Sequence, residues 1–386
     1  MGAVHQQRHP VPGPHARRHG SHSRVPVVRT GRGGSRLRTA AGLVLALLVL
    51  GLLPVPVPPV SPGPAGAAVP PRPVRILLLG DSVTQGSAGD WTWRYRLWQH
   101  FERAGVAVNL VGPRDDLWND VTKRHGSGAY VDPGFDSDHA ARWGMTIEAP
   151  DAPVGDLVVQ FRPDVVVVML GINDLFVDPP ESVAGRTTEL VAEVREAAPA
   201  TSLVLAEVTQ TWFTTAPAFN ELLAEVASTA DQPGSRVVVA RTAADYNRDA
   251  DTWDNSHPNA RGEVKIAAAV ADALSEIGVG PPADRPLPAV QVGPRTGARL
   301  RAAARVRGAR LTWRGPPGAT AQLVWRRDLT RGTRWQRLPR QVSGTATTIR
   351  SLRPGHRYRF RLQPVKGDDR PQGRVFSNPA TVVPTR

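Results

Sequence analysis

Five short apolar runs, separated by helical patterns, constrain this chain more than any other feature. Residues 76–79 read Ile-Leu-Leu-Leu, and residues 165–170 read Val-Val-Val-Val-Met-Leu. Neither run alternates with polar residues. A strand that is apolar on both faces is buried on both faces, as in a parallel sheet covered by helices. Strands are predicted at 75–79, 106–111, 165–170, 203–208 and 236–240. Helical periodicity falls at 93–104, 182–197, 218–229 and 260–277. Strand and helix in alternation predict an open α/β sheet whose ligands gather at the carboxyl ends of the strands.

Chemistry-bearing residues sit at those ends. The first run continues as Gly80-Asp81-Ser82-Val83-Thr84-Gln85-Gly86. On its own this is a strand-to-helix turn with Asp81 or Ser82 as a cap. The third run leads into Gly171-Ile172-Asn173-Asp174, and Asp254-Asn255-Ser256-His257-Pro258 precedes the last helical pattern. Serine is a weak nucleophile until a base takes its proton, and the base needs a third group to orient it. His257 is the candidate base and Asp254 its partner. Asn173 offers amide N–H groups where an oxyanion needs donors.

These residues resemble the GDSL or SGNH hydrolases, a family of serine esterases, over 72–277. Gly80-Asp81-Ser82 resembles the first block, with Val83 where the name-giving leucine stands. Gly171-Ile172-Asn173-Asp174 resembles the third block, and Asp254-Asn255-Ser256-His257 the fifth. The looser second block is matched by His139-Ala-Ala-Arg-Trp-Gly144. The resemblance implies a flavodoxin-like three-layer α/β/α sandwich with a parallel sheet. It implies Ser82, His257 and Asp254 as catalytic residues, an oxyanion hole of Ser82, Gly144 and Asn173, and no cofactor and no metal. His139 lies five positions before Gly144, a spacing that resembles carbohydrate acetylesterases. Together with the resemblance, the export signal and the tryptophans described below, the expected activity is hydrolysis of O-acetyl esters on a polysaccharide such as xylan. A lipase, phospholipase or thioesterase on the same scaffold is a second reading, and a non-catalytic cell-surface binding protein a third.

Charge divides the chain. The net charge is +14, but residues 289–386 hold 22 Lys+Arg against 3 Asp+Glu, whereas 41–288 hold 18 against 31. An acidic middle and a basic end predict separate modules. Residues 1–39 are a basic leader expected to be disordered. Residues 40–68 read as the apolar core and cleavage region of a signal peptide, cut near Ala67 or Ala68, with an uncleaved membrane anchor as the alternative. Either places the catalytic domain outside the cytoplasm, which argues against nucleic acid as the partner of the basic end. The absence of cysteine excludes disulfides, thiolate metal sites and cysteine nucleophiles.

Residues 278–288 form a Gly/Pro linker with little to pack, followed by an all-β pattern over 289–386. Leu352-Arg-Pro-Gly-His-Arg-Tyr358, leading into an alternating strand, resembles a fibronectin type III-like sandwich with its tyrosine corner. Trp313 fits the core tryptophan, and Phe376-Ser377-Asn378 the start of the last strand. Alternation predicts Arg357, Arg359 and Arg361 on one exposed face, suited to an anionic polymer or cell-wall contact.

Two tryptophans next to site residues, Trp143 and Trp253, are candidate substrate contacts, because aromatic faces stack on sugars. The segment 112–153 lacks periodicity and is long enough to be functional. Its aspartates 115, 116, 120, 132, 136 and 138 admit calcium, with solvated loop charge the plainer reading. His125 and His139 are expected to be loop histidines.

Overall fold

The computed structural model describes residues 72–293, 297–315, 319–366 and 374–386. The leader and the apolar segment 40–68 lie outside the described residues. Among the described residues no helix is long and apolar enough to cross a membrane.

The first module is built on five parallel strands: β1 (Val74–Gly80), β2 (Val108–Val111), β3 (Val165–Met169), β4 (Ser202–Ala206) and β5 (Val237–Ala240), in spatial order β2-β1-β3-β4-β5. Side-chain alternation along these strands feeds two cores. Leu77, Leu79, Val166, Val168, Leu203 and Leu205 pack under α3 (Val154–Phe161), α4 (Pro180–Ala197) and α5 (Ala216–Ala230). Ile76, Leu78, Val165, Val167 and Val204 face α2 (Trp93–Ala104) and α7 (Ala260–Glu276). The strands read as continuous apolar runs because both faces are covered. Helix α4 starts at Pro180, two residues before the periodicity predicts, because a proline at the first helical position gives up an N–H that has no partner there.

The strand order reverses between β1 and β3, so the chains leaving these two neighbours diverge. Their register pairs Gly80 with Met169, which brings the two strand ends level. Ser82 opens a one-turn helix, α1 (Ser82–Gln85), and Asn173 precedes a single 3₁₀ turn, Asp174–Phe176.

The long segment 112–153 is ordered by side-chain bonds rather than by periodicity. Gly112 crosses the His139 backbone so closely that a Cβ there would lie 2.3 Å from the His139 carbonyl. A hairpin, Leu117–Asn119 with Arg124–Ser127, projects from it. The two-residue strand Ala140–Ala141 then joins the sheet beside the end of β1. Arg94, fully buried, donates to Thr84 O, Gln85 O, Tyr130 Oη and Ser137 O, and so ties α1 to this segment. Three of the aspartates are internal acceptors: Asp116 for Arg114 and the Gly126 amide, Asp132 for Tyr95 Oη, and Asp136 for the Leu110 amide. Among the described residues no group of three or more His, Asp or Glu side chains is placed to hold a metal ion.

After α7 the chain does not run free. Val279 packs into the α2/α7 core, the Arg285 guanidinium pairs with Asp272 at 2.5 Å, and His100 meets Pro281 O at 2.9 Å. The expectation of a linker with little to pack is corrected: this segment lies down on the first module.

Among the described residues seven strands follow, in two antiparallel sheets. One has the order β10 (Ala346–Ile349), β7 (Gly308–Arg314), β6 (Arg299–Arg305); the other β9 (Gln336–Val342), β8 (Ala321–Asp328), β11 (Tyr358–Val365), β12 (Ala380–Val382). Leu300, Leu311, Trp313, Val324, Tyr358, Phe360 and Leu362 form the core between them. The Tyr358 hydroxyl accepts the Arg353 amide at 3.1 Å, closing the corner before β11. The expected exposed arginine face is incomplete. Arg357 is exposed, but Arg361 lies 4.5 Å from the Trp335 ring centroid and 3.7 Å from that of Phe376, and burial pushes its guanidinium down from the usual value. Alternation gives the side of the sheet; it does not foresee that flanking aromatics cover that side.

Candidate active site

The structure brings Ser82, His257 and Asp254 into one chain of hydrogen bonds. His257 Nε2 lies 3.0 Å from Ser82 Oγ, and His257 Nδ1 lies 2.8 Å from Asp254 Oδ2. Asp254 Oδ1 also accepts the His257 and Ser256 amides, at 2.8 and 3.2 Å. Asn255, at the centre of this turn, has φ +66°, which lets the carboxylate fold back onto its own backbone. Asn259 ties the turn to its neighbours on both sides. Its side chain accepts from the Arg261 and Gly262 amides, capping α7. The same side chain donates to Thr252 O and to Ala250 O in the one-turn helix α6 (Arg248–Asp251). From the loop after β4, Gln210 donates to Ser256 O.

Two carboxyls near Ser82, Asp81 buried and Asp254 half-buried, are driven in opposite directions. Burial alone would raise Asp254, but the His257 side-chain bond and charge and the two backbone amides outweigh it and hold the acid at about 2. Asp81, 1% exposed, is pushed up to about 7, first by burial, against the opposing effect of the Val83 amide bond. Asp254 is therefore ionised at any ordinary pH, while Asp81 straddles neutrality.

Asn173 Nδ2 donates to Met145 O at 2.9 Å, which fixes the amide plane, and meets Asp81 Oδ2 only at 3.5 Å. Gly144 is exposed, has φ +76°, a region that favours glycine, and follows the strand Ala140–Ala141 by three residues. The Arg142 amide bonds Gly80 O at 3.1 Å, so this segment runs alongside the serine turn.

Trp143 stacks on His257, with ring centroids 4.1 Å apart and planes at 27°, and Trp118 stacks on Trp143 at 5.5 Å. Trp118 comes from the hairpin and has no sequence signal beyond being a tryptophan in a long loop. Gln85 organises the same wall: its side chain donates to Asp116 at 3.1 Å and accepts the Trp143 amide at 2.7 Å. Its place in the first motif was the one available hint.

Two expectations need correction. Trp253 is 6% exposed and donates from Nε1 to Asp90 Oδ1, so its ring offers no open face to a sugar. Adjacency to Asp254 in sequence does not foresee that the indole is held by Asp90 and lies 5.3 Å from the Lys366 ammonium. His139 is fully buried, accepts the Ala141 amide at 3.0 Å, and is kept far below the usual histidine range, chiefly by burial; it is a core residue. His125, beside Trp118 and Gln85, is also lowered, chiefly by burial.

Known proteins resemble parts of this chain. Residues 78–264 match the model of the GDSL-like Lipase/Acylhydrolase family. A multidomain esterase of Ruminococcus flavefaciens is 26% identical over 260 residues, 60% of this chain; the chain spans 31% of that relative's length. Among solved structures, a carbohydrate esterase family 3 protein from Talaromyces cellulolyticus is 26% identical with a TM-score of 0.44, covering 53% of this chain and 97% of its own. A family 3 carbohydrate esterase of Clostridium thermocellum is 22% identical with a TM-score of 0.45, over the same shares of the two chains. Residues 78–264, a little under half of the chain, thus resemble a GDSL-like lipase/acylhydrolase domain.

The raised carboxyl at Asp81 gives a stability prediction. An unfolded aspartate titrates near ~4, so a folded value of about 7 means that stability fully present below ~pH 4 is lost as pH rises through about 7. Asp81→Asn keeps an oxygen for the Val83 amide and removes that titration. Denaturant unfolding should show the variant gaining on the wild type from about pH 4 to about pH 7, with the gap constant above. Parallel curves across that range would show that Asp81 is ionised throughout.

Proposed function

We propose that this protein is a serine ester hydrolase in which Ser82 is the nucleophile, His257 the base and Asp254 the group that orients it. The observation that carries the reading is the unbroken relay from Ser82 Oγ through both imidazole nitrogens to the low-pKa carboxylate of Asp254. Ser82 attacks the ester carbonyl carbon while His257 Nε2 takes the hydroxyl proton. The negative charge that develops on the carbonyl oxygen falls to the Ser82 and Gly144 amides and to the Asn173 N–H not held by Met145. Collapse expels the alcohol, which takes the proton from His257. A water, activated by the same imidazole, then releases the acid from Ser82. Besides the substrate and one water, these steps use only side-chain and backbone groups of the chain.

For the substrate we propose an O-acetyl group on a polysaccharide such as xylan. Support comes from the half-buried tryptophan wall of Trp118 and Trp143 beside His257, and from the His139–Gly144 spacing. A second reading, a lipase or phospholipase, is favoured by one observation. Phe176 and Val177, directly after the Asn173 turn, are 60% and 80% exposed, with Phe213 packed edge-on against Phe176. One experiment tests both levels. Ser82→Ala should lower turnover by about 10³-fold or more, and Asn173→Ala should lower kcat by about 10²–10³ with KM little changed. Near-normal turnover by folded Ser82→Ala protein would end the nucleophile assignment. In a series of model esters set beside acetylated xylan, acetyl and xylan should lead; preference for long acyl chains would move the substrate to lipids.

We further propose that the protein is exported through residues 40–68. Sequencing the amino terminus of secreted protein should give a start near Ala68 or Val69, and an intact leader on membrane-bound protein would make the segment an anchor. The second module we read as fibronectin type III-like, on the support of its two antiparallel sheets and the Tyr358 corner bond. With 22 Lys+Arg against 3 Asp+Glu over 289–386, it suits an anionic polymer. Co-sedimentation of the protein with acidic polysaccharide should then weaken as salt shortens the Debye length from ~10 Å at 0.1 M to ~3 Å at 1 M. Equal binding to a neutral polysaccharide would remove the charge argument.

A further inference from the structure

We propose that the C-terminal module is a working part of the hydrolase site, and that Lys366 is a positioning residue for the turn that carries Asp254 and His257. This rests on the serine-hydrolase reading above.

Lys366 follows β11 directly and so belongs to the second module, yet its side chain is only 3% exposed, inside the first module. Its ammonium lies 2.8 Å from Asp90 Oδ1 and donates to Ser87 Oγ, with Ala88 O at 3.4 Å. It also sits 5.3 Å from the centroid of the Trp253 ring. An ammonium is among the most strongly hydrated side-chain groups, and it is buried only where a partner compensates. A module that merely hung from a linker would keep this lysine in water.

Asp90 is the junction. The oxygen that pairs with Lys366 also accepts from Trp253 Nε1 at 3.2 Å, while its second oxygen accepts the Ser87 amide and hydroxyl at 2.8 and 2.9 Å. Trp253 in turn donates its amide to His257 O at 2.8 Å, closing the base of the Asp254–His257 turn. The path from the second module to the catalytic base therefore runs through Lys366, Asp90 and Trp253. On its other side Asp90 faces a second buried acid, Glu263, which accepts the Thr92 amide at 2.9 Å and lies 3.6 Å from Arg96. Withdrawing Lys366 leaves the Asp90 carboxylate buried without its cation. The carboxylate must then turn toward water, and that moves the acceptor that holds Trp253. The modules also meet at a second place. A cavity of about 340 Å³ lies between Trp313, Ala321 and Gln322 of the β-module and the hairpin residues Asn119 and Val121, next to Trp118. The β-module thus meets the first module at two places, beside the Trp118 hairpin and under the Trp253 turn.

The test uses the full chain as wild type, Lys366→Met, Lys366→Arg and Ser82→Ala. It reads steady-state kinetics on a short-chain ester and the rate at which a fluorophosphonate labels Ser82. Thermal melts identify folded variants. Misplacing a catalytic group by about 1 Å costs up to about 10²-fold, so Lys366→Met should lose about tenfold or more in kcat and in labelling rate, with KM little changed. Lys366→Arg, which keeps the charge, should recover most of both. A module that acts only by binding substrate would move KM instead and leave labelling alone. Folded Lys366→Met protein with wild-type kcat and labelling rate overturns the proposal. Should Lys366→Met not fold, Trp253→Phe decides: it keeps an aromatic face for the ammonium, removes the bond to Asp90, and should lower kcat with KM unchanged. A wild-type kcat there overturns the proposal equally. A wild type that labels no faster than Ser82→Ala would instead defeat the serine-hydrolase reading.

Discussion

The parallel pairing of β1 with β3 is the contact on which the rest of the molecule depends. Its register, Ile76 opposite Val165 through to Gly80 opposite Met169, ends both strands at the same height. The strand order reverses there, so the two chains turn away from each other and leave a crevice. Ser82 and Asn173 lie on its two lips, and the Ala140–Ala141 strand supplies a third. No single helix or loop makes the site; the sheet's topology does, and the loops furnish it.

Within that crevice environment sorts the acids. Asp254 collects two backbone amides and an imidazole and is kept ionised. Asp81, at the serine turn itself, has burial outweighing its one strong backbone bond, at 2.8 Å. The two residues have the same chemistry and lie within one hydrogen-bonded neighbourhood. Their difference comes from counting donors against lost water.

Much of this architecture was legible in the residues. The parallel strands are unbroken apolar runs, and the helices on them show plain periodicity, because burial on two faces or on one stripe leaves a direct trace in sequence. The three motif segments were legible because a strand end, a turn and a chemical side chain coincide at Ser82, Asn173 and His257. What stayed hidden depends on contacts between segments distant in sequence. Trp118 reaches Trp143 only through the hairpin, Arg94 binds four groups spread over more than forty residues, and the Ala140–Ala141 strand is too short to have a period. Trp253 and Arg361 were misplaced for one reason: local position says which way a side chain points, but not what covers it.

The stack of Trp143 on His257 makes the proton on the base optically visible. An imidazolium quenches indole emission more strongly than a neutral imidazole, and here the two rings are in van der Waals contact, their centroids 4.1 Å apart. A change in the light from Trp143 is therefore expected whenever the neighbouring ring gains or loses a proton, a native fluorophore set beside the imidazole by the fold itself.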